Sequence, residues 1–266
     1  MIYRDKVESV VRKTNEGLKY DPRLHKYQYE DTELTSVTTW MKEYFLSEFT
    51  ENNKHIFISN AVAKKNKREG EGITRPDDQR RYWNLQGERT AANGTAAHAF
   101  VQMLDIAAAY DMEVIPDTGY ERAVKAAYEY LSNEWEFIEL EKQVYSVAYR
   151  LAGHIDAIIR HRVTGRLGIL DWKTIRDMVK WHDKMREEMK IYKDDAVTKT
   201  TLQLTIYTII GELGIQPEDM FIVQLIPDGT YIIYGGHENP LIDIRLQVKT
   251  ALSKREDITQ SILDLL

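Results

Sequence analysis

The pattern of apolar residues changes from helical to strand-like near residue 138, and this change constrains the fold more than any other feature. Three consecutive segments either alternate between apolar and polar residues or run apolar, as strands do: residues 138–149, 151–160 and 167–173. Thr164-Gly165-Arg166 lies between the last two segments and has the composition of a tight turn. The sequence therefore predicts three consecutive antiparallel strands.

Helical patterns lie on both sides of these strands. Helices are predicted before them at residues 80–109 and 120–135, and after them at residues 198–213, ending at Gly214. The order of helix, three antiparallel strands, helix and strand predicts an α/β fold. The remaining predicted elements are strands at 220–226 and 231–234 and one or two closing helices within 240–266.

We expect one domain over residues 1–266. It would consist of an N-terminal addition (1–80), a core (81–235) and C-terminal helices (236–266). The addition is predicted to contain a hairpin over residues 20–39 and a helix from about Thr38 with Ser or Thr as its N-cap. A short helix and then a loop at Gly70-Glu71-Gly72 are predicted within 51–80.

Small residues are concentrated in the predicted helix at 80–109. Ala91, Ala92, Ala96 and Ala97 are expected to let this helix approach a sheet closely. Gly94 weakens the same helix by roughly 1 kcal/mol relative to alanine, which indicates that a neighbouring group needs its bare backbone.

The composition limits the chemistry that the chain can carry. It contains no cysteine, which excludes disulfides, a thiolate nucleophile and a cysteine-ligated iron–sulfur cluster. Any metal must be held by oxygen atoms and imidazole. No phosphate-binding loop of the Gly-x-x-x-x-Gly-Lys type is present, so no nucleotide cofactor is expected. The absence of an apolar leader or a long apolar run predicts a cytoplasmic protein with no membrane segment.

The net charge of −6 weighs mildly against nucleic-acid binding, but DNA needs only a local basic surface. Basic residues are concentrated in three places: Lys64-Lys65-Asn66-Lys67-Arg68, Arg80-Arg81 and the stretch from Lys180 to Lys193. Each place is either a solvated surface or a site of phosphate contacts.

Acidic and basic residues lie together at the end of an apolar strand. Asp171 and Lys173 are two residues apart and share one face of the strand, with Trp172 on the other. This pair could be a cross-strand salt bridge at a sheet edge. Asp156, however, lies on the predicted hairpin partner, and two converging carboxylates repel unless a cation lies between them. Mg²⁺ binds sites with one or two carboxylates.

These residues resemble a known family. Gly153-x-x-Asp156 followed by Asp171-x-Lys173 is similar to the motif of the PD-(D/E)XK nuclease superfamily, with Asp171 in place of the commoner Glu. The segments Gly94 to His98 and Gln203 to Tyr207 resemble the Gly-x-x-x-His and Gln-x-x-x-Tyr motifs of its RecB-like and phage-type exonuclease branch. Glu141 takes the place of an upstream acidic residue. The resemblance extends from residue 20, where Tyr20 to Thr38 is similar to phage-encoded members, to residue 235.

The resemblance implies a restriction-endonuclease-like core and a role for each residue. Asp156, Asp171 and the main-chain carbonyl of Trp172 would bind Mg²⁺ or Mn²⁺, while Lys173 would orient water and offset phosphate charge. His98 would add an imidazole ligand, which favours Mn²⁺, unless it is a histidine packed under the sheet. Glu141 is an outer or second-metal ligand, or a solvated strand residue.

The motif on the last core helix has two interpretations. Gln203 and Tyr207 share a helix face and either bond to the site backbone or a phosphate, or have a structural role. Arg89, Arg150 and Lys199 are candidates for phosphate contacts. The aromatic residues available for stacking are Tyr82, Trp83, Trp181 and Tyr192.

The implied function is a DNA exonuclease that acts from ends in phage or prophage recombination, replication or repair. DNA is then the main partner, with a phage recombinase or a single-strand-binding protein as a further one, and a homo-oligomer is left open. The alternatives are a structure- or sequence-specific endonuclease on the same core, a non-catalytic DNA-binding relative, and an unrelated α/β protein with an accidental motif.

Overall fold

The computed structural model describes residues 17–21, 26–46, 51–69, 75–180, 184–237 and 239–263. Within these residues the protein is a mixed α/β structure with one mostly antiparallel sheet. The strands are β1 (Leu18–Asp21), β2 (Lys26–Tyr29), β3 (Thr32–Ser36), β4 (Trp135–Ser146), β5 (Leu151–His161), β6 (Leu167–Lys173), β7 (Met220–Leu225) and β8 (Tyr231–Gly235). The α-helices are α1 (Val37–Tyr44), α2 (Glu51–Glu69), α3 (Pro76–Ala109), α4 (Gly119–Ser132), α5 (Ala196–Ile210) and α6 (Arg245–Leu263).

The sheet divides at β5, and this division positions the candidate site. One edge of β5 pairs antiparallel with β4 from end to end. The other edge is shared, because β6 pairs antiparallel with residues 157–160 and β3 pairs parallel with residues 151–152. Among the described strands, none pairs with residues 153–156 on that second edge.

The sheet extends from both sides of this division. β6 runs parallel to β7 from Ile169 to Lys173, and β7 pairs antiparallel with β8. Parallel neighbours need a long crossover, and α5 lies in the connection between β6 and β7. The short strands β1, β2 and β3 form an antiparallel unit beside the start of β5.

Helices cover both faces of the sheet. One face packs against α1, α5 and α6, with Trp40, Ile206 and Val248 in the shared core. The other face packs against α3 and α4, with Phe100 and Val124 in a second core. Among the described residues, no helix combines the length and the apolarity needed to cross a membrane.

The predicted strand region is confirmed. The three strands β4, β5 and β6 form in order and pair antiparallel, and Gly165 has a φ of +70° in the predicted turn. The predicted N-cap is also present, since the Ser36 hydroxyl accepts a hydrogen bond from the Thr39 backbone N–H at 3.1 Å. Local pattern and turn chemistry were sufficient for these elements.

Several predicted boundaries are wrong. Helix α5 begins earlier, because Asp195 caps it by accepting from Thr198 N–H at 2.7 Å, and it ends at Ile210 rather than at Gly214. The predicted hairpin at residues 20–39 is a three-stranded unit. The short helix predicted after residue 51 is α2, which has 19 residues. The loop predicted at Gly70-Glu71-Gly72 lies outside the described residues.

The expectation that four alanines bring α3 onto the sheet is wrong for three of them. Ala97 is buried, but Ala91, Ala92 and Ala96 are exposed, because α3 reaches the core only through its C-terminal part. Packing does not explain Gly94 either. A Cβ there would meet, within 4 Å, only the hydroxyl oxygen of Thr174 at 3.7 Å, which is an ordinary contact.

Candidate functional site

The site is centred on Asp156, at the point where β6 separates from β5. The last paired residues are Ala157 and Leu170, and one residue further along, the Asp156 carboxylate accepts the backbone N–H of Trp172 at 2.8 Å. The pleat of β5 changes at the same point. Ile155 packs in the core under α5, whereas Ala157 packs in the opposite core under α3. The regular strand is therefore interrupted at Asp156, whose side chain accepts the hydrogen bond from β6 in place of a main-chain carbonyl of β5.

Glu141 lies directly opposite this interruption. It falls between the paired residues Leu140–Ala157 and Lys142–Ile155 of the β4–β5 ladder, which places it across from Asp156. Its φ is +52°, in the left-handed region that a non-glycine residue rarely adopts. Such strain persists only where the surrounding structure holds it, and it occurs preferentially at functional sites. The sequence suggested Glu141 by position only, and its backbone conformation could not be read from it.

His98 joins these two carboxylates from the other side. Its Nδ1 lies 2.8 Å from Glu141 Oε1, and its Nε2 lies 3.6 Å from Asp156 Oδ2. Each of the three half-buried residues offers one possible ligand atom, and these three atoms lie within 4.8 Å of one another. The imidazole is thus half-buried and makes specific polar contacts, rather than only packing under the sheet. One nitrogen and two carboxylate oxygens are donors that Mg²⁺ and Mn²⁺ accept, so this set fits a divalent cation.

Asp171 and Lys173 form an ion pair beside this group. Asp171 is buried, its carboxylate contacts the Lys173 ammonium, and Trp172 packs on the opposite side in the core under α3. The shared face that the sequence predicted for Asp171 and Lys173 is therefore confirmed. Asp171 does not belong to the three-residue set, and its carboxylate contacts the Lys173 ammonium. Its role as a metal ligand, and that of the Trp172 carbonyl, stay predictions.

The charged groups of these residues shift one another's pKa values. Burial and the neighbouring Asp171 raise the pKa of Asp156 to about 7, against the opposing effects of His98 and Lys173. Burial by itself lowers the pKa of His98, but the hydrogen bond with Glu141 and the charges of Asp156, Glu141 and Asp171 raise it to about 9. His98 is therefore protonated at neutral pH, because the carboxylates around it favour a positive charge, and a divalent cation would have to displace that proton.

The Lys173 ammonium is held in its charged form. Burial lowers the pKa of Lys173, but the charges of Asp171 and Asp156 outweigh this effect and raise it above its usual value. Lys173 is consequently a fixed positive charge at neutral pH, next to two carboxylates. A group in this state can bind an anion or orient water, but it cannot act as a general base.

The Gln203–Tyr207 motif supports the start of the candidate strand. Gln203 Nε2 donates to the Tyr207 hydroxyl at 2.9 Å, and Tyr207 is buried against β5. A Cβ on Gly153 would lie 2.3 Å from the Tyr207 ring, so the glycine leaves room for that ring. Gly153 and Tyr207, which are separate motifs in the sequence, thus form one packing unit three residues before Asp156.

His154 is a feature that sequence reasoning missed. Its Nδ1 lies 2.7 Å from the Tyr27 hydroxyl, and its Nε2 lies 3.0 Å from the Gln143 amide nitrogen. Tyr20 stacks on Tyr27 and meets the imidazole edge-on at 4.9 Å between ring centroids. Burial lowers the pKa of His154, which favours the neutral ring. The N-terminal strands are thereby joined to β5 two residues from Asp156.

The site opens to solvent through a cavity of about 400 Å³ lined by Gly94, Thr95, His98 and Glu141. A larger cavity of about 650 Å³ lies at the opposite end of β6, near Trp135 and Arg166. The larger one contains none of the predicted site residues. We therefore take the smaller cavity as the entrance to the candidate site.

The three basic residues predicted to contact phosphates lie in different environments. Arg89 is exposed on α3, whereas Lys199 pairs with Asp194 at 2.9 Å and Arg150 reaches the Glu33 carbonyl oxygen at 3.4 Å. Tyr192 is half-buried and packs against the core under α5, and its availability for stacking stays a prediction. Tyr82 is 56% exposed on α3 and Trp83 beside it is half-buried, while Trp181 lies outside the described residues.

No model of a known protein family matches this chain, and no curated protein matches it. Its resemblance to the PD-(D/E)XK superfamily consequently stays a prediction. What the protein does has to be inferred from the geometry of its own residues, above all from the groups that meet at Asp156.

Proposed function

We propose that the protein is a metal-dependent deoxyribonuclease of the PD-(D/E)XK superfamily, in the RecB-like and phage-type exonuclease branch. The observation that carries this proposal is the meeting of His98, Glu141 and Asp156 beside the Asp171–Lys173 ion pair. These residues come from α3, β4, β5 and β6, and His98 is 43 positions from Glu141. If the resemblance of the motif were accidental, there would be no reason for residues so far apart in the sequence to lie together.

The order of elements supports a restriction-endonuclease-like core. Helices α3 and α4 precede three antiparallel strands, and α5 then leads to β7, which is parallel to β6. The candidate residues lie where β5 and β6 separate, and the motif residue Tyr207 on α5 packs against the start of β5. In this proposal β1–β3, α2 and α6 are additions to that core.

The proposed chemistry is hydrolysis of a phosphodiester. Asp156, His98 and Glu141 would hold a divalent cation, which would supply Lewis acidity toward a phosphoryl oxygen and offset the negative charge of the transition state. Lys173 stays protonated, so it positions the attacking water or the phosphate by charge and by hydrogen bonding. Asp171 fixes the Lys173 ammonium in place.

Substitution of the ion pair tests the catalytic proposal. Lys173→Met and Asp171→Asn are each expected to lower metal-dependent DNA cleavage by at least about 100-fold, a typical effect of losing one group that stabilises a transition state. Arg166→Met is the matched control, because Arg166 forms an ion pair with Asp219 at 3.1 Å at the opposite end of β6. Equal cleavage by Lys173→Met and the parent would contradict the proposal.

We further propose that cleavage starts at DNA ends. The additions to the core carry basic and aromatic side chains, which suit contacts to phosphates and stacking, so we expect contacts to the DNA backbone without base readout. The test compares linear DNA with a covalently closed circle of the same sequence, with Mn²⁺ at low salt. Loss of the linear form with persistence of the circle is expected. If the circle is cut at the same rate, the protein is an endonuclease on the same core.

A further inference from the structure

Helix α3 extends far beyond the core that holds its C-terminal end. It has 34 residues, which corresponds to a length of about 50 Å. Its core contacts begin at Ala97, close to His98, and continue to Ala107. From Arg80 to Ala92, every residue is exposed except the half-buried Trp83. We call α2 and residues 75–93 together the helical arm, since α2 packs against α3.

The helical arm is basic in an acidic protein. Residues 51–69 carry five basic and two acidic side chains, and residues 75–93 carry four basic and three acidic ones, whereas the whole chain has a net charge of −6. The basic side chains cluster where α2 ends and α3 begins. Lys64, Lys65 and Lys67 are exposed there, as are Arg80 and Arg81 on the next helix.

An exposed helix of this kind has little to stabilise it in isolation. Most of the stability of a protein helix comes from the face that it packs against a partner, and here solvent surrounds most of α3 before residue 93. Tyr82 and Leu85 are also half exposed on this segment. A partner that is negatively charged and long enough to follow the arm would match both its charge and its shape.

We propose that the helical arm binds the phosphate backbone of duplex DNA whose end is in the candidate site. This inference rests on the proposed nuclease function and extends it to the shape of the substrate. α3 is continuous from the tip of the arm to His98, so its length fixes the distance between the tip and the candidate site. Arg81 lies 17 residues and Arg75 lies 23 residues from His98, which corresponds to about 25 to 35 Å along the axis.

This distance corresponds to a definite length of duplex. At about 3.4 Å per base pair, the basic tip meets phosphates about 7 to 10 base pairs from the end that is cut. Duplex DNA stays straight over this span, since its persistence length is about 150 base pairs. A duplex can therefore lie along the straight helix α3 without losing conformational entropy. Single-stranded DNA would have to be extended along the arm at an entropic cost, so we assign the surface to the duplex.

The experiment measures the affinity of duplexes of 6, 12 and 18 base pairs for the Lys173→Met protein, at several salt concentrations and without divalent metal. With an unchanged arm, this protein is expected to bind the 18-base-pair duplex at least about tenfold more tightly than the 6-base-pair one, because only the longer of these two duplexes reaches the tip. Combining Lys64→Gln, Lys65→Gln and Lys67→Gln should remove most of this difference. The triple substitution should also reduce the magnitude of the negative slope of log affinity against log salt by about 2 to 3.

The matched control combines Lys42→Gln, Lys190→Gln and Lys249→Gln. These exposed lysines lie on or beside elements that pack on the other face of the sheet, so the change of net charge is the same at a different place. It is expected to leave the length dependence unchanged. Equal weakening by both triple variants, or an equal affinity of the parent for all three duplexes, overturns the proposal. A preference for single strands of the same length overturns the duplex assignment.

The two proposals fail in different ways. The unmodified protein is separately tested for Mn²⁺-dependent cleavage of the 6-base-pair duplex, which does not reach the tip. Cleavage without length-dependent binding leaves the nuclease proposal in place and rejects the arm. The absence of both cleavage and DNA binding rejects the proposed function and, with it, the role of the arm.

Discussion

At the scale of single residues, Gly153 has a packing role that its place in a motif does not reveal. The Tyr207 ring occupies the space in which a Cβ on Gly153 would lie, with Cε1 at 2.3 Å and the hydroxyl at 2.8 Å. Tyr207 is itself held by Gln203 through the hydrogen bond to its hydroxyl group. The glycine therefore allows α5 to approach β5, and this contact sets the position of the strand that carries Asp156.

We expect Gly153→Ala to destabilise the fold by about 1 to 3 kcal/mol, the usual cost of forcing an extra carbon into a packed core. Gly94→Ala is the matched control. It should be neutral or stabilise α3 by up to about 1 kcal/mol, because the helix prefers alanine and its Cβ meets no close neighbour. Chemical denaturation of both variants provides the measurement. In a Tyr207→Leu background the cost of Gly153→Ala should fall, and an unchanged cost would show that the ring is not its cause.

Asp156 should make the metal-free protein less stable as the pH rises. Its pKa is raised from 3.8 to about 7 in the folded protein, so between these values the folded state binds more protons than the unfolded state. The free energy of unfolding then falls with rising pH, and the loss is complete above about pH 7.

The Asp156→Asn substitution tests this effect. We expect it to raise the stability measured in EDTA at pH 8 by about 1 to 3 kcal/mol, and to change it by less than about 1 kcal/mol at pH 4, where the folded state is protonated and the unfolded state is close to half protonated. Asparagine keeps an oxygen that can accept the Trp172 N–H. Substitution of the exposed Glu113 by Gln is the control. A loss of stability at pH 8 would mean that Asp156 stabilises the fold through its charge.

At the scale of elements, the N-terminal strands are anchored to the core close to the candidate site. Tyr27 on β2 is buried and reaches His154 on β5, although 127 positions separate them. Tyr29 on the same strand instead stacks on Tyr145 of β4, with ring centroids 4.7 Å apart. A hydrogen bond and a ring contact thus hold the same short strand at two adjacent places.

We expect Tyr27→Phe to lower the free energy of unfolding by about 1 to 2 kcal/mol, because it leaves a nitrogen of the half-buried His154 imidazole without its partner. Tyr29→Phe keeps the stacked ring and should change stability by less than about 0.5 kcal/mol. Thermal unfolding of both variants distinguishes them. Equal effects of the two substitutions would imply that the hydroxyl of Tyr27 contributes nothing specific.

At the scale of the whole molecule, a bound metal should stabilise the folded state. The ligand atoms come from three separate elements, α3, β4 and β5, which meet only when the chain is folded. A cation that binds them therefore binds the folded state preferentially. At a concentration about 100 times its Kd, it should add about 2.7 kcal/mol to the stability.

Thermal unfolding with Mn²⁺, Mg²⁺ and EDTA measures this effect. We expect a higher Tm with either cation than with EDTA, and a larger rise with Mn²⁺, which imidazole favours. His98→Ala should abolish the preference for Mn²⁺ and reduce both effects. An unchanged ratio of the Mn²⁺ and Mg²⁺ effects in His98→Ala would exclude that residue as a ligand.

The sequence by itself determined the antiparallel strands β4 to β6, the turn at Gly165 and the shared face of Asp171 and Lys173. Each depends on residues within a few positions of one another, because side-chain alternation and turn conformation are local properties. Helix ends were less well predicted, as at α5, since Asp195 caps the helix before its apolar pattern becomes evident. The motif residues His98, Glu141, Asp156 and Tyr207 were also identified from the sequence, although not their contacts.

Only the tertiary structure decided how those residues are combined. Glu141 and Asp156 face each other because of the register between β4 and β5, and the left-handed φ of Glu141 has no local sequence signal. His98 and His154 meet partners 43 and 127 positions away. Such contacts depend on how helices pack on the sheet, which sums many weak interactions over the whole chain. For the same reason, the exposure of the helical arm could not be deduced from its sequence.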